Sequence, residues 1–243
     1  MSATLLPSYL RRTTGLLDYN SPYTVMAWFY LFGFLPAQNL FTLSYGDDGN
    51  SPRNYDTFQV NPEGYKAEIR NNAGSQSRLS DAPFIGINQW FHFAGVRTST
   101  SDVEAYENGI SLPPIPTLSI ADRVSSAPVA RQNVGAFSDL YLDIPSGYVA
   151  HIFEYSAALS QAEIQNQMFK AQPQRTANLH AWTPCRNGAR TIDFSGNGRD
   201  WTEIGAMTDG IIEPPVIYAP PPMVVKSPPI LVYFNSPGML LAC

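Results

Sequence analysis

An antiparallel β-sandwich carrying one short helix and an extended C-terminal arm is the fold this chain predicts, and three observations predict it. Short segments rich in aromatic and β-branched residues recur along most of its length. The intervals between them, such as Asn71-Asn72-Ala73-Gly74 and Asn108-Gly109, are turn chemistry. Only one segment shows helical periodicity bounded by caps. With 243 residues, one large domain is expected rather than two, because all-β sandwiches reach about 200 to 250 residues as single units.

The strand-like segments fall at 24–32, 40–45, 56–60, 65–70, 90–97, 102–106, 133–137 and 147–155. The helix is expected from 161 to about 170. Ser160 is placed to cap it, Glu163 to reach back to the Ser160 N–H as a capping box, and Leu159 and Ile164 to staple across its start. Ile164 and Met168 give it one apolar face for the edge of the sandwich.

Hydrophobic residues make up 44% of the chain, ample for a packed interior, while charged residues at 14% fall below the usual quarter. The surface must therefore be dressed largely with Ser, Thr, Asn, Gln and Tyr. The net charge is −5 and the 15 Lys and Arg are dispersed, so nucleic acid is not expected as a partner. Residues 1–12 lack the pattern of a secretion signal, and the longest apolar run, 25–35, is too short to span a bilayer. The expectation is a chain made in the cytoplasm, with no membrane partner. Cys185 and Cys243 form no disulfide framework, and their pairing is not readable from sequence.

Three motifs narrow the sandwich to a family. Trp90-Phe91-His92-Phe93-Ala94-Gly95-Val96 reads as one strand, and Val103-Glu104-Ala105-Tyr106-Glu107-Asn108-Gly109 as a strand closed by an Asn-Gly turn. Ala158-Leu159-Ser160-Gln161-Ala162-Glu163-Ile164 opens the capped helix after the strand at 147–155. In this order they resemble the "W-x-H-x-A-x-V", "Y-x-N-G" and "A-L-S-x-A-E-I" segments of the laminin-G-like, concanavalin A-like jelly-roll family. The resemblance spans roughly residues 15 to 210. Asp193-Phe194-Ser195-Gly196-Asn197-Gly198 is similar to a "D-x-S-G-N-G" loop of that family, displaced here toward the C-terminal end. The implied organisation is an N-terminal extension at 1–14, a jelly roll at 15–212 and a Pro-rich arm at 213–243.

Candidate chemistry is sparse. Glycosidases need two carboxylates flanking one bond, and Asp102, Glu104 and Glu107 are the nearest grouping. Period-two geometry places Glu107 opposite the other two, and the spacing departs from the "E-x-D-x-x-E" pattern of the family's glucanases. No catalytic residue and no enzymatic activity are expected. Calcium would need hard oxygen ligands, for which the loop at 47–50 and, ahead of it, Asp193, Asn197 and Asp200 are the candidates; no other cofactor is implied. The histidines His92, His151 and His180 have no zinc spacing. Sugar binding would use aromatic rings beside amides and carboxylates, with Tyr45, Asp48, Tyr55 and Trp201 as candidates.

The arm contains eight of the 21 prolines yet carries apolar blocks. Val224-Val225, Ile230-Leu231-Val232-Tyr233-Phe234 and Leu240-Leu241 need cover, since exposed segments of this kind aggregate. Modules resembling this one occur among bacteriophage virion proteins. The resemblance therefore implies a non-enzymatic virion component, a capsid decoration or fibre-type subunit, anchored by its arm to protein subunits of a larger assembly and forming a homo-oligomer. The alternative is a carbohydrate-binding module for a host or surface glycan.

Overall fold

The computed structural model describes residues 8–18, 20–33, 38–44, 55–61, 64–71, 74–80, 86–100, 102–113, 130–136, 146–185, 188–207 and 213–216, with backbone only at 69–71 and 74–80. In chain order the elements are β1 (Tyr9–Arg12), β2 (Tyr23–Leu31), β3 (Gln38–Ser44), β4 (Tyr55–Asn61), β5 (Gly64–Asn71), β6 (Gly74–Ser80), β7 (Trp90–Ser99), β8 (Asp102–Glu107), β9 (Ile110–Ser111), β10 (Arg131–Val134), β11 (Gly147–Tyr155), α1 (Gln161–Met168), β12 (Leu179–Thr183) and β13 (Thr202–Ile204). They form two antiparallel sheets, β13-β1-β10-β3-β4-β5-β6 (sheet A) and β12-β11-β2-β7-β8-β9 (sheet B).

Period-two alternation decides what lies between the sheets. Leu10, Val134, Phe41, Phe58 and Ala67 stand in register across sheet A, and Val25, Ala27, Phe29, Phe91 and Phe93 face them from sheet B within one core cluster. Phe29 meets Phe41 edge-on at 5.5 Å, and Tyr65 stacks on Phe93 at 5.7 Å. Each buried aromatic contributes about 2–3 kcal/mol. Gly95 has a close-approach role, because a Cβ there would lie 2.6 Å from the Phe58 ring.

One interior row is charged. Arg12, Gln132, Leu43 and Asp56 align across sheet A. The Arg12 guanidinium donates to Glu154 of sheet B at 2.5 Å, and the Arg97 guanidinium of sheet B donates to Asp56 at 2.7 Å. All four side chains are buried. Gln132 also donates to Glu154, the Tyr23 hydroxyl donates to Asp56 at 2.9 Å, and Arg97 donates to the Thr100 carbonyl at 2.7 Å. The Arg12 guanidinium lies 4.0 Å from the Trp201 ring centroid.

The expected strands and helix are present, and Ser160 and Glu163 form the capping box, with the Ser160 N–H donating to Glu163 at 2.8 Å. Leu159 and Ile164 are buried against Met26, Ala94, Tyr106, Phe153 and Tyr155 on the outside of sheet B. The boundary at residue 14 is corrected: β1 lies within the expected extension, pairs with β10 and β13, and buries Leu10 and Arg12. Its Leu-Arg-Arg pattern hides a strand because Arg12 is interior only by virtue of Glu154. Strands β6, β9, β12 and β13 are likewise additions to the expected set. Cys185 is a free thiol, and no helix among the described residues is long and apolar enough to cross a membrane.

Burial of these charged and ionisable groups has measurable consequences. Arg97→Met strands the Asp56 carboxylate and lowers stability by about 3–5 kcal/mol, while adding Asp56→Leu restores much of it; urea unfolding of both variants checks this. His92, packed edge-on to Trp28 at 5.4 Å, has its pKa pushed down to about 3 by burial. A depressed imidazole pKa gives stability that is complete above the unfolded value and lost as pH falls below it. The stability gap between wild type and His92→Gln should therefore shrink by about 1.4 kcal/mol per pH unit from roughly pH 6 to 4, read from unfolding curves at each pH.

Candidate functional site

The outward face of sheet A is polar across its width. Thr202, Arg11, Asn133, Thr42, Thr57 and Glu68 stand in register on β13, β1, β10, β3, β4 and β5. A second row, two residues along, aligns Arg131, Ser44 and Tyr55. On the other flank Asn39, Gln59 and Lys66 are in register. Each of these residues alternates with an inward-facing one, so the same strands that build the core build this face.

The side chains are already oriented by one another. Thr57 Oγ1 bonds Thr42 Oγ1 at 3.1 Å and donates to Asn39 Oδ1 at 2.8 Å, while Gln59 Nε2 donates to the same Asn39 oxygen at 2.6 Å. The Tyr55 hydroxyl donates to Glu68 at 2.8 Å, Lys66 pairs with Glu68, and Arg11 donates to Tyr9. Thr42, Thr57, Asn39 and Asn133 form a floor at 0% exposure, with Arg131, Tyr55 and Glu68 each at 6%. Arg11, Gln59 and Lys66 keep part of their surface open to solvent. Asn39 Nδ2 is buried without a hydrogen-bond partner among the described residues, a donor held ready for an acceptor. The arrangement provides preorientated donors and acceptors with little competing water.

The residues expected from sequence are dispersed differently. Tyr55 lies on this face, but as a buried ring hydrogen-bonded through its hydroxyl. Trp201 is 4% exposed, with the Arg12 guanidinium over its ring; it is a core residue, and the expectation of an exposed sugar platform there is corrected. Tyr45 and Asp48 lie outside the described residues, as do Val224, Val225, Ile230, Leu231, Val232, Tyr233, Phe234, Leu240 and Leu241. Asp102 accepts from Thr98 Oγ1 at 2.8 Å and Glu104 from the Tyr106 hydroxyl. Glu107 is on the opposite side of β8, bonded to Tyr65, and burial raises its carboxyl pKa.

Asp193, Asn197 and Asp200 do share one loop, and the loop's own donors fill both carboxylate oxygens of Asp193. Asp193 Oδ1 accepts from the Trp182 and Ser195 N–H groups at 3.0 and 2.9 Å, and Oδ2 from the Arg199 N–H and Ser195 Oγ at 2.9 and 2.8 Å. Asp200 accepts from the Asp193 N–H at 2.8 Å, and Asn197 Nδ2 donates to the Leu179 and His180 carbonyls at 3.0 Å each. Burial opposes ionisation of Asp193, yet these bonds outweigh it and hold its carboxyl below the ordinary range. In this structure Asp193 closes the turn, and a cation bound through it would have to displace those donors. Among the described residues no group of three or more His, Cys, Asp or Glu is arranged to hold a metal ion.

Arg131, Asn133, Thr42, Thr57 and Glu68 are not recognisable as site residues from sequence. Their signal is the polar alternation in Phe41-Thr42-Leu43-Ser44 and Thr57-Phe58-Gln59-Val60. It marks a non-core face but not which strands align it.

Two apposed antiparallel sheets in this order, with one capped helix against the second, define a concanavalin A-like jelly roll. The chain belongs to the concanavalin A-like lectin/glucanases superfamily, whose Laminin_G_3 model matches residues 7–165. No curated protein matches it in sequence. Among solved structures, a Bacteroides ovatus protein described as carbohydrate-binding is similar with a TM-score of 0.57 and 14% identity, over 83% of this chain and 57% of that one. The chain thus spans little more than half the length of that protein. Domain 4 of the Geobacillus stearothermophilus extracellular arabinanase AbnA, in complex with arabinotriose, gives a TM-score of 0.50 at 18% identity, over 67% of this chain and 74% of that domain. The CBM40 of Ruminococcus gnavus IT-sialidase bound to α2,6-sialyllactose gives 0.50 at 13% identity, over 68% and 96%. At these identities the likeness is one of fold.

The Asp193 network predicts that Asp193→Ala lowers stability by about 1–3 kcal/mol, since buried N–H groups lose their acceptor. Calcium or a chelator should leave the wild-type melting temperature unchanged, as measured by calorimetry.

Proposed function

We propose that the chain is a non-catalytic carbohydrate-binding module and that the outward face of sheet A is its binding surface. One observation carries this reading: the registered rows Arg11-Asn133-Thr42-Thr57-Glu68 and Arg131-Ser44-Tyr55 set donors and acceptors side by side across neighbouring strands. Strands about 4.8 Å apart space these groups on the scale of one sugar ring. Ring hydroxyls both donate and accept, which suits a surface mixing guanidinium, amide, hydroxyl and carboxylate groups. Support comes from the sugar-binding modules that share the fold, two of them solved with oligosaccharides bound.

A ligand would meet Arg11, Gln59 and Lys66, the partly open side chains, which the buried floor beneath holds in place, as Asn39 holds Gln59. The virion-subunit role expected from the C-terminal arm is a different reading, which requires residues 213–243 to engage a neighbouring molecule. Of that segment, Val216 packs against Trp28, Ala150 and Ala171 of its own chain.

Screening the full chain on a glycan array, with calorimetric titration of the best ligand, tests the module reading. Arg11→Ala and Gln59→Ala, at side chains of this face that are partly open to solvent, should each weaken binding roughly tenfold or more, the equivalent of about 1.4 kcal/mol for one well-placed hydrogen bond, while unfolding stays cooperative. Absence of any glycan ligand, or binding indifferent to both substitutions, would sink it.

A further inference from the structure

The outward face of sheet B is covered in an ordered progression. Its row Phe153-Met26-Ala94-Tyr106 lies under α1 through Ile164. The next row, Ala150-Trp28-His92, lies under residues 169–171, at the C-terminal end of the helix, and Val216. Phe169 sits 5.8 Å from Trp28, Trp28 Nε1 donates to the Met168 carbonyl at 2.7 Å, and Ala171 and Val216 complete the cluster. The third row, Tyr148-Tyr30-Trp90, is wholly aromatic and half-buried. Phe32, 40% exposed, extends it. The rings lie 5.7 Å apart for Tyr30 and Trp90, 6.4 Å for Trp90 and Tyr148, and 5.1 Å for Tyr148 and Phe32. The Trp90 indole N–H is buried without a partner among the described residues.

The chain leaves the described residues at Val216, and Val216 and Trp90 belong to the same cluster. Pro214, just before it, is buried as well. Beyond lie 27 residues with six prolines, beginning Ile217-Tyr218-Ala219-Pro220-Pro221-Pro222. We propose that this segment, 217–243, continues from Val216 onto the third row of its own domain, its prolines stacking on Trp90, Tyr30, Tyr148 and Phe32. An extended polyproline backbone advances about 3.1 Å per residue and leaves its carbonyls unpaired. The proline triplet therefore lies roughly 12–19 Å of chain beyond Val216, long enough to cross from Trp90 to Phe32. A free carbonyl satisfies the Trp90 N–H, the pairing that aromatic grooves use for Pro-rich segments. Proline also loses little backbone entropy on docking.

The test uses the full chain with the photo-crosslinking residue p-benzoylphenylalanine at Phe32, an exposed position that folding tolerates. After irradiation of dilute protein, mass spectrometry of the monomer band should find Phe32 joined to peptides from 217–243. Replacing Pro220, Pro221 and Pro222 with Ser should cut that yield several-fold. Crosslinks to 217–243 confined to a dimer band would overturn the proposal in favour of docking between copies. Absence of any crosslink to 217–243 would overturn it outright, provided a control label at Phe169 shows that the probe reacts.

Discussion

Arginine carried into the sandwich from each sheet, and a carboxylate waiting on the other, is the constraint on which the remaining geometry depends. Arg12 and Arg97 are both buried, and either guanidinium left there without Glu154 or Asp56 would be an unpaired buried charge that destabilises the fold. Since each pair crosses between sheets, the sheets cannot slide without separating a desolvated ion pair. The outer face is tied to this row residue by residue. Arg12 points inward and Arg11 outward; Gln132 points inward and Arg131 and Asn133 outward; Asp56 points inward and Tyr55 and Thr57 outward. Fixing the inner polar row therefore fixes the outer ones.

The C-terminal part of the domain is held by the same row. Trp201 packs under Arg12, its backbone N–H donates to the Thr191 carbonyl at 2.8 Å, and the Asp193 network closes the loop between. His180 Nε2 bonds the Gly15 carbonyl at 2.8 Å, tying β12 to the chain just after β1. Strand β13 adds to the edge of β1, so a motif displaced to the far end of the sequence completes sheet A from that side.

What the sequence reveals, and what it withholds, both have physical causes. Strands such as β2 and β7 are legible because their buried faces are aromatic and branched on both sides, and α1 because Ser160, Glu163, Leu159 and Ile164 satisfy local rules that need no tertiary context. Strand β1 is illegible because a buried arginine looks like a surface residue until its distant carboxylate is known. Trp201 misleads for the converse reason: an aromatic beside Asp and Gly reads as an exposed ring, yet a cation from another strand has claimed its face. The polar site is a transverse object, one residue from each of several strands, and register between strands is set by long-range pairing that period-two patterning does not encode.

The two exteriors of this sandwich differ in chemistry, and the difference bears on use. A face that only needed to be wet would most simply carry Lys, Glu and other long charged side chains, which hydrate well and are usually exposed. Sheet A instead puts Thr, Asn, Ser and Tyr at its floor, groups with two-way hydrogen bonding, and among the described side chains its outward charges are Arg11, Arg131, Lys66 and Glu68. These neutral groups are nearly closed to water, so their hydration contributes little to solubility. Thr57 is fixed by Asn39 and Thr42, and Tyr55 by Glu68. Fixed, neutral and desolvated hydrogen-bonding groups discriminate between hydroxyl patterns far better than they solvate a surface. The helix, residues 169–171 and Val216 cover two of the outer rows of sheet B, and under the proposed function sheet A is the face on which such selectivity has a use.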